Sequence, residues 1–281
     1  MTLSCIAAAR RFDARAHRPF WIDEQRVGWI RETDVPMLAR WPDVFEIDAT
    51  RVALSPRFDG SVDQRSAALG AVIGALAADG RIPGWRDETY AIRNAFDDAP
   101  LAYIERAASR FFGTMTYAVH LNGVVKYADR APRMWIARRS DTKATDPGML
   151  DNVVAGGIGW GFGIGATIVK ECWEEAGIPE EIASKAVAGR TVHVLQSIPE
   201  GTQAEQIFVY DLPLPDDFVP HNQDGEVGEH RLAGIDEVAG WIEDDAMTVD
   251  ASLATLDCLL RHHWIDAEAC AGIDALFAPP A

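Results

Sequence analysis

A glycine-rich loop that leads directly into an acidic helix constrains the fold of this chain more than any other feature. Residues 156–178 have the sequence GGIGWGFGIGATIVKECWEEAGI, whose pattern predicts a helix over roughly residues 165–177. At about 100° per residue, Glu171, Glu174 and Glu175 share an arc of roughly 100°. The adjoining arc carries the side chains of Ile168, Val169, Cys172, Trp173 and Ala176. We therefore expect one side of the helix to pack on a sheet and the acidic side to face a cleft.

The three glutamates allow two interpretations. Glutamates at helical spacing are most often a solvated surface. Carboxylates this close also repel and raise one another's pKa, so a cluster of them at a cleft favours a divalent cation that needs oxygen ligands. The spacing by itself leaves both interpretations open.

The stretch resembles the box of the Nudix hydrolases, G-x5-E-x7-R-E-U-x-E-E-x-G-U, in which U is an aliphatic residue. Six positions match the box: Gly156, Glu171, Glu174, Glu175, Gly177 and Ile178. Phe162 stands at the first glutamate, Lys170 at the arginine and Cys172 at an aliphatic position. Lys170 keeps a positive charge but loses the planar fork of arginine. Phe162 forms no charged contact, so the loop must be anchored by packing or by another group.

The resemblance implies a divalent cofactor, Mg²⁺ or Mn²⁺, and a site whose catalytic and metal-binding glutamates are Glu171, Glu174 and Glu175. It adds the main-chain carbonyl of Gly157 and an acid from a later loop as metal ligands. Two candidates for that acid lie in the segment DGEVGEHRL, namely Glu226, which we favour, and Glu229. An ordinary acidic turn is the alternative for this segment. Which glutamate acts as the base, and how many metal ions bind, is left open.

Basic residues are needed to hold an anionic substrate in an acidic protein. The densest group near the box is Arg138, Arg139 and Lys143, and strand alternation turns one of the two arginines into the cleft. Trp85 and Arg86, in the segment GWRDE, place an aromatic and a cationic group in one loop. We predict these five residues as substrate-binding. Surface charges and a loop held by salt bridges are the alternatives.

The resemblance extends beyond the box to one Nudix subfamily. Segments such as PFWIDEQRVGWI, DGRIPGWRDETYAI and RRSDTKATDPGMLDNVVAGG resemble members that carry an extra N-terminal domain, and the match spans about residues 18–265. Relatives include the Nudix part fused to thiamine pyrophosphokinase in fungi. This resemblance implies a substrate such as thiamine diphosphate, particularly its oxidised or damaged forms, cut to the monophosphate. Hydrolysis of ADP-ribose or another nucleotide diphosphate, and a non-catalytic ligand sensor, remain as alternatives.

By the same resemblance the fold is α+β: a Nudix α/β/α sandwich with a mixed sheet. We assign residues 116–281, which include a C-terminal helix, to this domain, and residues 1–115 to a small mixed α/β accessory domain. The sequence patterns predict further helices, and strands beside a hairpin at Asn122-Gly123. The predicted helices span residues 34–41, 65–78, 100–112, 234–243 and 250–264, and the predicted strands span residues 134–140, 190–197 and 205–212.

Histidine and tryptophan spacings do not indicate a site by themselves. Structural or surface roles are expected for His120, Asn122, His193, His262 and His263. Apolar surroundings favour core positions for Trp29, Trp41, Trp173 and Trp264. Only Trp85 and Trp160, in glycine-containing loops, are expected to offer stacking surfaces.

The charge and cysteine pattern narrows the partners. With 26 Lys and Arg against 43 Asp and Glu, the net charge of −17 has the wrong sign for a nucleic-acid binder. Four scattered cysteines, Cys5, Cys172, Cys258 and Cys270, match neither a disulfide scaffold nor a metal site, which favours a cytoplasmic location. No apolar run is long enough for a membrane span. We expect a small-molecule diphosphate as partner, no nucleic acid and no membrane, with the oligomeric state undetermined.

Overall fold

A computed structural model of the chain describes residues 3–58 and 60–280. The N-terminal part holds a four-stranded sheet in the order β2-β1-β4-β3 and a separate antiparallel pair, β5-β6. Its strands are β1 (His17–Ile22), β2 (Gln25–Arg31), β3 (Phe45–Ile47), β4 (Val52–Leu54), β5 (Thr89–Ile92) and β6 (Ala102–Glu105). Its helices are α1 (Ser4–Ala8), α2 (Val35–Leu38), α3 (Val62–Ala78) and α4 (Ala108–Phe112).

Helix α3 supplies much of the apolar core of the N-terminal part. It begins after Ser61, whose hydroxyl accepts a hydrogen bond from the backbone N–H of Gln64 at 3.3 Å, and it ends at Asp79-Gly80. Its buried side chains Leu69, Val72, Ile73 and Leu76 recur at helical spacing and join one core with residues of β1 to β6. The helix predicted over residues 65–78 is therefore confirmed.

The C-terminal part is built on a seven-stranded sheet in the order β11-β12-β7-β8-β13, with β10 paired to β7 and β9 paired to β8. Strands β7 and β12 are parallel and the remaining pairs are antiparallel, so the sheet is mixed. The strands are β7 (Met115–Val125), β8 (Arg133–Arg139), β9 (Leu150–Asn152), β10 (Val154–Gly157), β11 (Val187–Ile198), β12 (Gly201–Pro213) and β13 (Val227–Gly234). The helices are α5 (Ile164–Ala176), α6 (Glu180–Ala183), α7 (Ile235–Glu243) and α8 (Val249–Arg261).

Helices cover both faces of this sheet. Helices α5 and α6 share a core with one face, and α7 and α8 share a second core with the other. The expected α/β/α sandwich with a mixed sheet is thus confirmed. Helix α1 packs on α8, so the beginning of the chain contributes to the core of the C-terminal part. Within residues 3–58 and 60–280, no helix is long and apolar enough to cross a bilayer.

The predicted hairpin at Asn122-Gly123 is wrong, because both residues lie inside the continuous strand β7. The Asn122 side chain is buried and bonded within the protein instead of shaping a turn. A Cβ at Gly123 would lie 2.8 Å from Val153 and 2.9 Å from Leu214. This glycine serves close packing between side chains, which a local turn pattern does not reveal.

The helix predicted over residues 100–112 is only half right. Residues 102–105 form strand β6, in which Ala102 and Ile104 are buried while Tyr103 and Glu105 are half-buried. That alternation has the two-residue period of a strand. The helix itself is the short α4, and it ends at Gly113 in the left-handed conformation, as expected.

Among the tryptophans, Trp173 departs most from expectation, because 55% of its surface is exposed. Trp29, Trp41 and Trp264 are half-buried at the edges of the cores and are not central to them. The apolar side of α5 is therefore narrower than the sequence suggested. It consists of Ile168, Cys172 and Ala176, all buried against the sheet.

Candidate functional site

A polar cleft of about 630 Å³ lies where the acidic helix α5 meets the glycine loop, β7 and the loops after β8 and β12. The loop turns at Gly161, whose φ of 92° belongs to the left-handed region, and α5 ends at Gly177 with φ 61°. Glycine at both positions lets the chain enter and leave α5 sharply. Glu171 and Glu174 on this helix line the cleft.

Glu171 is seated directly against the glycine loop. A Cβ at Gly156 would lie 2.4 Å from the Glu171 carboxyl carbon, so only glycine leaves room for this side chain. Lys170 Nζ lies 3.1 Å from Glu171 Oε1 and 2.6 Å from Glu174 Oε2. Burial raises the pKa of Glu171, and Lys170 opposes that rise. The Lys170 ammonium group thus forms ion pairs with both carboxylates.

Glu175 lies beneath the cleft floor and is 6% exposed. Its Oε2 accepts a hydrogen bond from the Ala155 backbone N–H at 2.8 Å, and its Oε1 lies 3.7 Å from Lys143 Nζ. Burial raises the pKa of Glu175 to about 8, although Lys143 and the Ala155 N–H lower it. The three glutamates therefore differ: Glu175 is a buried group, while Glu171 and Glu174 line the cleft.

Glu226 joins this arrangement from the loop before β13. It forms ion pairs with Lys143 and with Arg86, the latter at 3.1 Å. These cations lower the pKa of Glu226, despite the opposing effect of burial. Glu229, the other candidate for the later-loop acid, points to the surface and pairs with Arg231 at 2.9 Å. The structure thus brings Glu226 to the cleft and leaves Glu229 outside it.

The two neighbouring arginines of β8 point in different directions, as strand alternation predicts. Arg139 lines the cleft, where it lies 2.7 Å from Asp151 and donates to the carbonyls of Thr145 and Asp146. Arg138 pairs with Asp141 at 2.7 Å and is not among the residues that line the cleft. Arg138 therefore does not lie where its predicted role in substrate binding requires it to be.

The N-terminal part contributes one wall of the cleft through Arg86, Glu88 and Arg106. Arg106 pairs with Glu88 at 2.8 Å. Trp85 was predicted beside Arg86 but does not line the cleft, and its indole N–H donates to Asp87 at 2.7 Å. From the loop GWRDE, only Arg86 and Glu88 line the cleft.

Contacts with β5 anchor the glycine loop, which carries Phe162 where the box has a glutamate. The backbone N–H of Trp160 donates to the Thr89 carbonyl at 2.8 Å. A Cβ at Gly157 would lie 2.0 Å from the Tyr90 hydroxyl oxygen, so the loop and β5 are in close contact. Phe162 itself is 53% exposed. Contacts with the N-terminal part thus hold the loop in place where the glutamate of the box is absent.

Sequence reasoning missed several residues of the cleft. His120, expected to be structural, lines it, as do Gln203, Glu205 and Asp250. Gln203 and Glu205 alternate along β12, and strand alternation places both on one face of the sheet. Asp250 lies in the first turn of α8, where an acidic residue is usual for reasons of the helix dipole. Because the helix dipole already accounts for an acidic residue there, the sequence offered no reason to place Asp250 in the cleft.

A second cluster, Asp211, Cys258 and His262, brings three potential metal ligands within 4.8 Å of one another. Arg261 donates to both carboxylate oxygens of Asp211, at 2.7 and 2.8 Å, and so provides the counter-charge. Burial raises the pKa of the Cys258 thiol well above its ordinary value. We interpret the cluster as a structural network beneath α8.

The residues at the cleft suit a divalent cation. Glu171, Glu174, Glu175 and Glu226 supply carboxylate oxygens, the ligand type that Mg²⁺ and Mn²⁺ prefer. In this structure each pair of carboxylates shares one lysine, Lys170 or Lys143. Among the described residues, no three of these carboxylates bring oxygens within 4.8 Å of one another, so a bound ion would have to draw them away from the lysines that they share.

Comparison with known proteins gives matches over both parts of the chain. Residues 122–253 match the family described as NUDIX domain, and residues 1–116 match the domain of unknown function DUF4743. The chain is 38% identical to Nudix hydrolase 20, chloroplastic, of Arabidopsis thaliana, over 91% of this chain and 71% of that protein. It is also 38% identical to Nudix hydrolase 24, chloroplastic, of the same plant, over 91% of this chain and 70% of that protein.

Among solved structures, DR0079 from Deinococcus radiodurans matches with a TM-score of 0.45 and 21% identity, over 60% of this chain and 99% of that one. This structural similarity is too low to support an inference about function.

Proposed function

The chain belongs to the Nudix hydrolase family, and on that premise we propose that it hydrolyses the phosphoanhydride of thiamine diphosphate, particularly of its oxidised or damaged forms. Its activity as a Nudix pyrophosphohydrolase follows from the family. The thiamine substrate and the residues that act on it are our proposal.

The observation that carries the mechanism is the arrangement of four carboxylates at or beneath one cleft, which share two lysines and Arg86 as counter-charges. Glu171 and Glu174 share Lys170, and Glu175 and Glu226 share Lys143. A divalent cation held by these carboxylates supplies charge neutralisation for the diphosphate and activation of water. Glu175, whose pKa burial raises to about 8, is suited to accept a proton near neutral pH.

Basic side chains of the same cleft are proposed to hold the phosphate oxygens. Arg139 and Lys143 line the cleft beside the glycine loop, and Arg86 and Arg106 reach it from the N-terminal part. Guanidinium groups bind phosphate oxygens in pairs, which fixes orientation as well as charge. An acidic protein can hold an anionic substrate here when a bound divalent cation adds its charge to that of these basic side chains at short range.

The choice of thiamine diphosphate rests on the resemblance of the N-terminal segments to the subfamily described above. Its physical support is that the N-terminal part lines the cleft, so an accessory domain can affect which organic group fits. ADP-ribose is the main competing substrate, and a ligand sensor without turnover is the competing class.

The test is a panel of thiamine diphosphate, its oxidised form, ADP-ribose and a nucleoside triphosphate, each with Mg²⁺ or Mn²⁺. We expect the oxidised thiamine diphosphate to give the highest kcat/KM, since that ratio measures discrimination. Excess chelator should abolish turnover, and added metal should restore it. A preference for ADP-ribose would refute the substrate but leave the hydrolase intact. Undiminished turnover in protein verified to be metal-free would contradict the metal mechanism.

A cytoplasmic location is also part of the proposal. It rests on the four cysteines, which are buried and free. The two Arabidopsis relatives are named chloroplastic, which describes those proteins. Fractionation of the source cells, followed by immunodetection of the chain, tests the location directly.

A further inference from the structure

The strand pair β5-β6 of the N-terminal part forms a rigid support beside the glycine loop. Tyr90 and Ile104 pair across the two strands, and both side chains are buried in the N-terminal core. The backbone N–H of Tyr103 donates to the Ser66 hydroxyl at 2.7 Å, which ties β6 to α3. Because successive strand residues face opposite sides, the Tyr103 side chain points away from that core. Groups on this outer side are therefore held in fixed positions.

Two groups of the strand pair contact the glycine loop between β10 and α5. The Thr89 carbonyl accepts a hydrogen bond from the Trp160 backbone N–H at 2.8 Å. The Tyr103 ring packs on the Trp160 ring, with 5.1 Å between the centroids and 45° between the planes. Trp160, which the sequence favoured as a stacking surface, therefore packs within the protein and is not among the residues that line the cleft.

Arg93, directly after β5, forms the third contact with the loop. Its guanidinium carbon lies 5.7 Å from the Trp160 ring centroid. The ring centroids of Phe96 and Tyr117 lie 4.5 and 5.0 Å from the same carbon. The Arg93 Nε atom is buried, and within residues 3–58 and 60–280 it has no hydrogen-bond partner. Aromatic faces thus hold this cation where the loop meets β7.

We name Thr89, Arg93 and Tyr103 the loop clamp. The clamp can affect the cleft only through the loop, because none of its members is among the residues that line the cleft. At the start of the loop, Gly156 lies directly against Glu171, whose carboxyl carbon would be 2.4 Å from a Cβ at Gly156. A displaced loop would therefore displace the Glu171 carboxylate as well.

We propose that the loop clamp is a positioning element for the reaction, which holds the glycine loop so that Glu171 keeps the position that metal binding requires. The inference rests on the proposed function, because it takes Glu171 as a metal ligand. The loop needs such support from outside, since Phe162 forms no charged contact and is 53% exposed. The clamp gives the N-terminal part a role in the reaction that does not depend on contact with the substrate.

The test measures Mn²⁺ binding by calorimetry and amide hydrogen exchange of residues 158–163 in metal-free protein, both without substrate. In Tyr103→Leu, exchange in the loop should be at least about threefold faster, because the hydrogen bond from Trp160 to Thr89 loses the packing beside it. The Kd for Mn²⁺ should rise at least about tenfold, the usual effect of losing a group that orients a metal ligand. Arg93→Met should cause both changes, and it serves as the second variant if Tyr103→Leu does not fold.

Tyr127→Leu and Arg26→Met are the matched controls. Tyr127 is also half-buried against a guanidinium, that of Arg130 at 3.7 Å, and Arg26 also lies over an indole, that of Trp29 at 4.7 Å. Neither Tyr127 nor Arg26 lines the cleft. Both controls should keep the parental exchange rates and the parental Kd. Equal changes in the controls and the clamp variants would show a general loss of stability and would overturn the inference.

Turnover at a series of Mn²⁺ concentrations separates positioning from a general loss of structure. In the clamp variants, the Mn²⁺ concentration for half-maximal rate should rise at least about tenfold, while kcat at saturating Mn²⁺ stays within about twofold of the parental value, because excess metal refills the site. Unchanged loop exchange, or faster exchange with unchanged Mn²⁺ affinity, would overturn the inference. If the parental protein binds no Mn²⁺, the proposed function fails, and the exchange rates alone decide whether the clamp holds the loop.

Discussion

Replacement of Glu175 by glutamine separates the catalytic and structural roles of the acidic helix. The substitution keeps the size of the side chain, and the remaining carbonyl oxygen can still accept the Ala155 N–H at 2.8 Å. It removes the negative charge that faces Lys143 at 3.7 Å. We expect turnover to fall at least roughly a hundredfold, as when a group that binds metal and accepts a proton is lost.

The same substitution should raise the free energy of unfolding, although it lowers turnover. The folded pKa of Glu175 is about 8, raised by burial from an unfolded value of 4.5. A carboxyl with a raised folded pKa destabilises the fold as pH rises above 4.5, and the penalty is complete above pH 8. At pH 7 that penalty is roughly 3 kcal/mol, and glutamine does not incur it. Loss of the Lys143 contact offsets part of the gain.

The assay pairs steady-state kinetics with thermal unfolding in chelator, at pH 5 and pH 8. We expect the Tm of Glu175→Gln to match or exceed the parental value, with the larger gain at pH 8. Glu180→Gln is the control, since Glu180 is exposed at the start of α6, and both its rate and its Tm should stay parental. Near-parental turnover in a folded Glu175→Gln protein would refute the catalytic role. A loss of Tm that grows with pH would refute the electrostatic argument.

Two further predictions follow from the geometry. Arg139→Leu should lower kcat/KM at least about tenfold, because it removes a cation from the cleft, while Arg138→Leu should have little effect; equal losses in the two variants would contradict the assignment by strand alternation. Burial lowers the pKa of His230 from 6.5 to about 4, so its contribution to stability is lost as pH falls from 6.5 towards 4. At pH 5 the cost is about 2 kcal/mol, and His230→Gln should lose less Tm than the parental protein between pH 7 and pH 5. An identical Tm loss in both proteins would show that other groups cause the acid sensitivity.

The sequence alone determined the helix α5 and the arc that carries its three glutamates, because both depend on local periodicity. The glycines around α5 carry positive φ at Gly161 and Gly177, positions where the chain has to turn. Helix α3 was predictable for the same reason, and strands β8, β11 and β12 were predictable from short runs of β-branched and aromatic residues. The family resemblance then gave the sandwich and the mixed sheet.

Local patterns failed where a residue's environment comes from distant parts of the chain. Asn122-Gly123 has the composition of a turn, yet Gly123 is paired within the sheet, with Leu212 of β12 on one side and Trp135 of β8 on the other. Trp173 looked apolar enough for the core, but the sheet covers only a narrow side of α5. Propensity was overridden by packing in both cases.

Only the tertiary structure decided which charged groups meet. Helical spacing put Glu171, Glu174 and Glu175 on one arc. The environment of Glu171, however, depends on close contact with Gly156, and that of Glu175 depends on Lys143 in the loop after β8. The same holds for the cleft residues that the sequence did not indicate, which lie on β7, β12 and α8, far apart in sequence: His120, Gln203, Glu205 and Asp250. Hydrogen bonds and desolvation depend on distances of a few ångströms between such segments, and no local period in the sequence encodes those distances.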